Sequence, residues 1–158
     1  MKNKKEEKPT TSGLPEEDVT AYTLWIRNEL DTSVTKVVLS KRLTDSPCIV
    51  TSAISASMKS MMMMFQQNEQ QDSNKDLTFE INPNHEIIIN LNKLRKEDPR
   101  LASMSIKQLF DAAILQANLP VSNKDYIKRT QTLIKALLDM KFNQYDSSDV
   151  KVERLTNE

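Results

Sequence analysis

His85 and Cys48 are the chain's one imidazole and one thiol, the side chains with the reactivity to act as base, nucleophile or metal ligand. Each of those chemistries needs company. A catalytic base is oriented by further residues, and a metal centre takes several ligands at set spacing. Neither residue has such a partner at motif spacing. His85 falls in the first turn of an expected helix, where an imidazole is ordinarily structural. Cys48 follows Pro47 inside an apolar strand and reads as a small buried hydrophobe. Phosphate chemistry is equally short of material: the single glycine, Gly13, lies near the N-terminus, whereas loops that cradle phosphates need several. The residues therefore point away from an enzyme. One cysteine also excludes an internal disulfide and suits a reducing compartment.

Thioethers supply the conspicuous chemistry instead. "KSMMMMFQQ", residues 59–67, sets four methionines and Phe65 in a row. A helix turns about 100° per residue, so four consecutive side chains point around the whole axis and no one face hides them all. Ile54, Met58, Met61, Met62 and Phe65 share one side and suit a core. Met63 and Met64 point elsewhere. Methionine surfaces repack against many apolar partners, so a binding surface and plain core filling both fit the run, and only the first accounts for Met63 and Met64.

Helical and strand periodicities give the elements that would position these residues. Residues 14–30 read as a helix with Val19, Tyr22, Trp25, Ile26 and Leu30 on one stripe and acidic residues in its first turn. "VTKVVLSKRL" (34–43) and "SPCIVTS" (46–52) read as strands. The methionine helix covers roughly 54–67, and "DLTFEIN" (76–82) alternates Leu77, Phe79 and Ile81 with polar residues as a half-buried strand does. Asn82 before Pro83 looks like a cap and first helical position for a helix with Ile87, Ile88, Leu91 and Leu94 inside, while the β-branched isoleucine run also admits a strand. Two further helices follow. One carries Ile106, Leu109, Phe110, Ala113, Ile114 and Ala117 on one side and stops at Pro120. The other opens with Ser122 and Asp125 at capping-box spacing and carries Tyr126, Ile127, Thr130, Leu133, Ile134, Leu137 and Leu138. Its stripe is wide enough for a second copy of the chain, or for its own core alone. The expected fold is α+β: a small three-stranded sheet with covering helices, then a helical C-terminal end. Residues 1–13 read as a charged linker, 14–142 as the folded domain and 143–158 as a polar tail expected to be disordered. Lys plus Arg and Asp plus Glu both number 22; no global field favours nucleic acid or an acidic membrane. No stretch approaches the length of a membrane span.

Several segments taken together, "KVVLSKRLTDSPCIVTS", "SASMKSMM" and "LTFEINPNHEII", resemble the C-terminal domain of the 90-kDa heat-shock protein chaperones over about residues 14–142. The resemblance implies a non-catalytic dimerisation and client-binding domain of a stress-response chaperone. The parent's ATP and magnesium would bind in an N-terminal domain outside this chain. Its partners would be a second copy of itself and unfolded or partly folded client proteins, with no nucleic acid and no membrane. Helices 104–118 and 123–141 would form an intermolecular four-helix bundle through Leu109, Phe110, Ala113, Ile114, Ala117, Ile127, Thr130, Leu133, Ile134, Leu137 and Leu138. Ile54, Met58, Met61 and Met62 would contact clients, with Met64 and Phe65 in a register displaced by three. The family's cytosolic and reticulum end signals are not matched by "VKVERLTNE", which implies an organellar (mitochondrial or plastid) or bacterial-like branch, with cytoplasm as the alternative. A protein–protein adaptor outside any ATP cycle is the rival reading.

Overall fold

The computed structural model describes residues 13–52, Met58, Met61, Met64 and 76–156, with side chains described as far as residue 143. Helix α1 (Glu16–Leu30) runs through a short 3-10 turn into strand β1 (Lys36–Leu39). Strands β2 (Cys48–Ser52) and β3 (Leu77–Ile81) follow, then helices α2 (Glu86–Glu97), α3 (Pro99–Gln116) and α4 (Asn123–Thr156). The sheet order is β1-β3-β2, with β3 parallel to β1 and antiparallel to β2. Its central strand is thus the last to be made. In β3 the alternation read from sequence is realised: Leu77, Phe79 and Ile81 are fully buried while Thr78 and Glu80 are half-buried.

The core lies between the sheet and α1, α2 and α3. Tyr22, Ile26 and Leu30 of α1, Ile88 and Leu91 of α2, and Ala102, Ile106, Phe110, Ala113 and Ile114 of α3 form it with the strands. The Phe79 and Phe110 rings meet edge to face, centroids 5.4 Å apart, the arrangement that their quadrupoles favour. Tyr22, inside this core, donates from its hydroxyl to the carbonyl of Ile88 at 2.9 Å, so its polar tip is satisfied. Outside it, a polar clamp joins α1 to α2. Asn92 Nδ2 donates to Asp18 Oδ2 at 2.9 Å, and Lys96 Nζ reaches both Asp18 oxygens at 3.0 Å. These hydrogen bonds, that of Lys96 foremost, hold the Asp18 carboxyl below its ordinary value. Arg42 forks onto Glu80 through Nε and a terminal nitrogen at 3.2 and 3.1 Å and likewise holds that carboxyl down.

Four local readings are corrected. Strand β1 stops at Leu39, short of the expected residue 43, because Ser40 Oγ accepts from the backbone N–H groups of Arg42 and Leu43 and turns the chain. The cap of α2 is His85, whose Nδ1 accepts from Ile87 N at 3.1 Å, and not Asn82. Asn82 is buried instead, its Nδ2 donating to the carbonyls of Thr44 and Ser46 and its Oδ1 accepting from Asn84 N. Helix α3 starts at Pro99, capped by Asp98, and ends before Pro120 is reached. Asn118 takes φ 58, and the N–H groups of Asn118 and Leu119 bond back to the carbonyls of Leu115 and Ile114. This paired closure normally recruits glycine. Residues 143–158, expected to be disordered, continue α4 in helical backbone to Thr156; no proline or glycine after Pro120 interrupts it, and propagation adds one hydrogen bond per residue.

The Asp18 clamp makes a prediction with a definite sign. A carboxyl whose folded value is depressed contributes stability above its ordinary value and loses it as pH falls through the folded one. Asp18→Asn is expected to lower the urea midpoint at pH 7, with the two proteins converging in acid below the usual carboxylate range. Equal midpoints at pH 7 would show that the clamp contributes nothing.

Candidate functional site

The reactive side chains are committed to structure. The Nδ1 of His85 is occupied by the cap it provides. Cys48 is 4% exposed, its Sγ lies 3.9 Å from the carbonyl of Leu109, and burial pushes its thiol up to about 12. Such a thiol is neither nucleophile nor ligand at neutral pH. Among the described residues no three His, Cys, Asp or Glu side chains gather as a metal site requires. What the chain does present is apolar surface, in three places.

The first is the methionine segment. Met58, Met61 and Met64 lie in helical backbone and are 58%, 58% and 77% exposed. Met58 and Met61, which suited a core by spacing, are therefore surface residues in this chain together with Met64. Ile54, Met62 and Phe65 lie outside the described residues.

The second is the outer side of α4. The start of this helix is seated on α3 by polar contacts: Gln108 Nε2 donates to Thr130 Oγ1 at 2.6 Å, Arg129 Nε donates to Gln108 Oε1 at 3.2 Å, and Arg129 pairs with Asp111. That seating faces Thr130 and Leu133 towards α3. Ile127, Ile134 and Leu138, at i, i+7 and i+11, share a stripe that adjoins Thr130 on the side away from Leu133. All three are at least half exposed, as are Leu137, Met140 and Phe142. Of the positions expected to meet a second copy, Phe110, Ala113 and Ile114 are buried in the chain's own core against the sheet, where α3 covers β2 and β3. Leu109, Ala117, Thr130 and Leu133 are half-buried, and Ile127, Ile134, Leu137 and Leu138 are open. Sequence reading missed Leu115, Met140 and Phe142, all exposed; Leu115 and Met140 lie within the expected helices but off the stripes read there.

The third was not foreseen. A groove of about 500 Å³ runs between α2, α3 and α4, floored by Leu91, Leu94, Leu109, Ala112 and Leu133 and rimmed by Ile87. The last of these is 46% exposed. Its residues come from three consecutive helices, so the period of no single helix reveals it. Among the described residues no helix is long and apolar enough to cross a membrane.

Comparison of the sequence with known proteins finds one family. Residues 1–158 match the family described as Hsp90 protein. The chain is 33% identical over 125 residues to the chaperone protein HtpG of Desulfitobacterium hafniense, covering 79% of this chain and 20% of that protein. It is 32% identical over 133 residues to the mitochondrial heat shock protein 75 kDa of Rattus norvegicus, covering 82% of this chain and 19% of that protein. It is also similar to the mitochondrial heat shock protein 90-6 of Arabidopsis thaliana, 33% identical over 63% of this chain and 13% of that protein. The chain thus spans about a fifth of the length of the first two relatives. With a family match along its whole length, the chain belongs to the Hsp90 family.

Proposed function

We propose that this chain is the C-terminal dimerisation and client-binding domain of an ATP-driven chaperone. The observation that carries the reading is the run of six large apolar side chains on α4 from Ile127 to Phe142, each at least half exposed. Apolar surface repeated along a helix is stabilised by covering it, and a second copy covers it symmetrically: the α3–α4 hairpin of each protomer lies on that of the other about a two-fold axis, giving a four-helix bundle. Ile127, Ile134, Leu137 and Leu138 form its centre, with Leu109, Ala117, Thr130 and Leu133 nearer the seam between α3 and α4. A lasting interface of this kind buries more than roughly 1,000 Å².

The methionines serve a different contact. Met58, Met61 and Met64 offer flexible, polarisable side chains that adapt to apolar segments of any sequence, which suits unfolded and partly folded proteins. Ile54, Met62 and Phe65 extend the same surface in this reading. Chemistry is supplied elsewhere: ATP and magnesium act in an N-terminal domain beyond this chain, and the dimer keeps two such domains at high effective concentration so that they can close together. Bacterial and mitochondrial proteins among the relatives support an organellar site, the mitochondrion first.

Two measurements test these roles separately. Sedimentation equilibrium at micromolar concentration is expected to show a dimer, and Ile134→Asp with Leu138→Asp is expected to weaken it by at least about 30-fold, since charging an interface centre costs roughly 2 kcal/mol or more. A monomeric parent chain removes the dimer role. Met61→Asp with Met64→Asp is expected to weaken binding of an unfolded reporter protein while leaving sedimentation unchanged. Unchanged reporter binding removes the client role from these methionines.

A further inference from the structure

The sulfur of this chain is divided by exposure. Its one thiol, Cys48, sits 4% exposed between β2 and α3, and burial holds it in the neutral form, whereas peroxides react with thiolates. Three thioethers are in the opposite position. Met58, Met61 and Met64 stand at i, i+3 and i+6 in helical backbone, which brings neighbours of the row onto one edge, and each is more than half exposed. Met104 on α3, by contrast, is half-buried. A peroxide reaching this surface meets sulfur at the methionine row, with the competing thiol shielded.

We propose that Met58, Met61 and Met64 form an oxidation site for hydroperoxides, and that conversion of their thioethers to sulfoxides switches off the apolar surface they present. The sulfur lone pair attacks one peroxide oxygen and the O–O bond breaks as the S–O bond forms. The sulfur is oxidised by two electrons, and the other peroxide oxygen leaves with its proton balance as water, or as an alcohol from an organic peroxide. The product side chain is polar and chiral where the original was apolar and flexible. Three such changes on one edge replace an adaptable apolar row with a row of strong dipoles that want water. Methionine sulfoxide reductases reverse the step with two electrons from a thiol reductant, which becomes a disulfide as the oxygen leaves as water, so it can act as a switch. The oxidation site stands on exposure and sulfur chemistry; its consequence for binding rests on the client reading above.

The test uses the full chain carrying Met62→Leu, Met63→Leu and Met140→Leu, which removes the other methionines of the run and the exposed methionine of α4 from the comparison. Hydrogen peroxide is added, oxidation is followed by peptide mass mapping, and binding to reduced, carboxymethylated α-lactalbumin is measured alongside. Met58, Met61 and Met64 are expected to gain one oxygen each before Met104 does, binding is expected to be lost, and methionine sulfoxide reductases are expected to restore it. Met58→Leu, Met61→Leu and Met64→Leu together keep the row apolar and are expected to bind before and after peroxide alike. Oxidation of Met104 first, or a leucine protein that loses binding as the parent does, overturns the assignment. A chain that binds equally well after full oxidation of the row overturns the switch alone. Failure of the unoxidised chain to bind the reporter overturns the client reading, and the switch with it.

Discussion

Helix α3 has to satisfy two neighbours at once. One side carries Ile106, Phe110, Ala113 and Ile114 into the core, where Phe110 meets Phe79 of the central strand edge to face. Another carries Gln108 and Asp111 to the start of α4, where they hold Thr130 and Arg129. The sheet has no other route to α4 among the larger contacts between elements. The position of the exposed apolar side of α4, and of the groove between α2 and α3, therefore follows from how α3 is seated on β2 and β3. A core change at Phe110 would reach the outer surface through this one helix. The Asp18 clamp plays the complementary part at the far side, joining α1 to α2 and so fixing the second wall of the groove.

Several polar side chains on this frame are engaged in architecture. His85 caps a helix, Asn82 ties the turn after β3 to the loop at 44–46, and Asn118 closes α3 with a left-handed residue. In a chain with one glycine, such turns fall to asparagine, whose side chain tolerates that conformation and bonds locally. Among the described residues, several large leucine, isoleucine and methionine side chains are left exposed beside the charged ones.

Much of this was legible from the residues. The period-two alternation of β3 and the stripe of Tyr22, Ile26 and Leu30 are local patterns, and both are realised. "RLTDSPC" and "EINPNH" pointed to the family because they are unusual in combination. The misreadings share a physical cause. Asn82 has the sequence of a cap, yet its side chain bonds to carbonyls 36 and 38 positions away, a choice made by tertiary packing. Phe110, Ala113 and Ile114 carry the same apolar signal whether they meet a sheet of the same chain or a second copy. Apolar periodicity says that a face will be covered and is silent on what covers it. The tail after residue 142 looked unstructured because it has little to bury, but a helix already nucleated needs only residues that do not break it.

The length of α4 has a mechanical consequence. The polar seating described on α3 runs through Gln108, Asp111, Tyr126, Arg129 and Thr130, while the helical backbone continues to Thr156. From Thr130 onward that is about 39 Å of rod at 1.5 Å per residue. A tilt of about 5° at the seating would swing the far tip by roughly 3 Å on that geometry. The helix is in effect a lever arm with its pivot at one turn, so a slight repacking beside Gln108 would be magnified into a displacement as large as a hydrogen-bond length at the distal end.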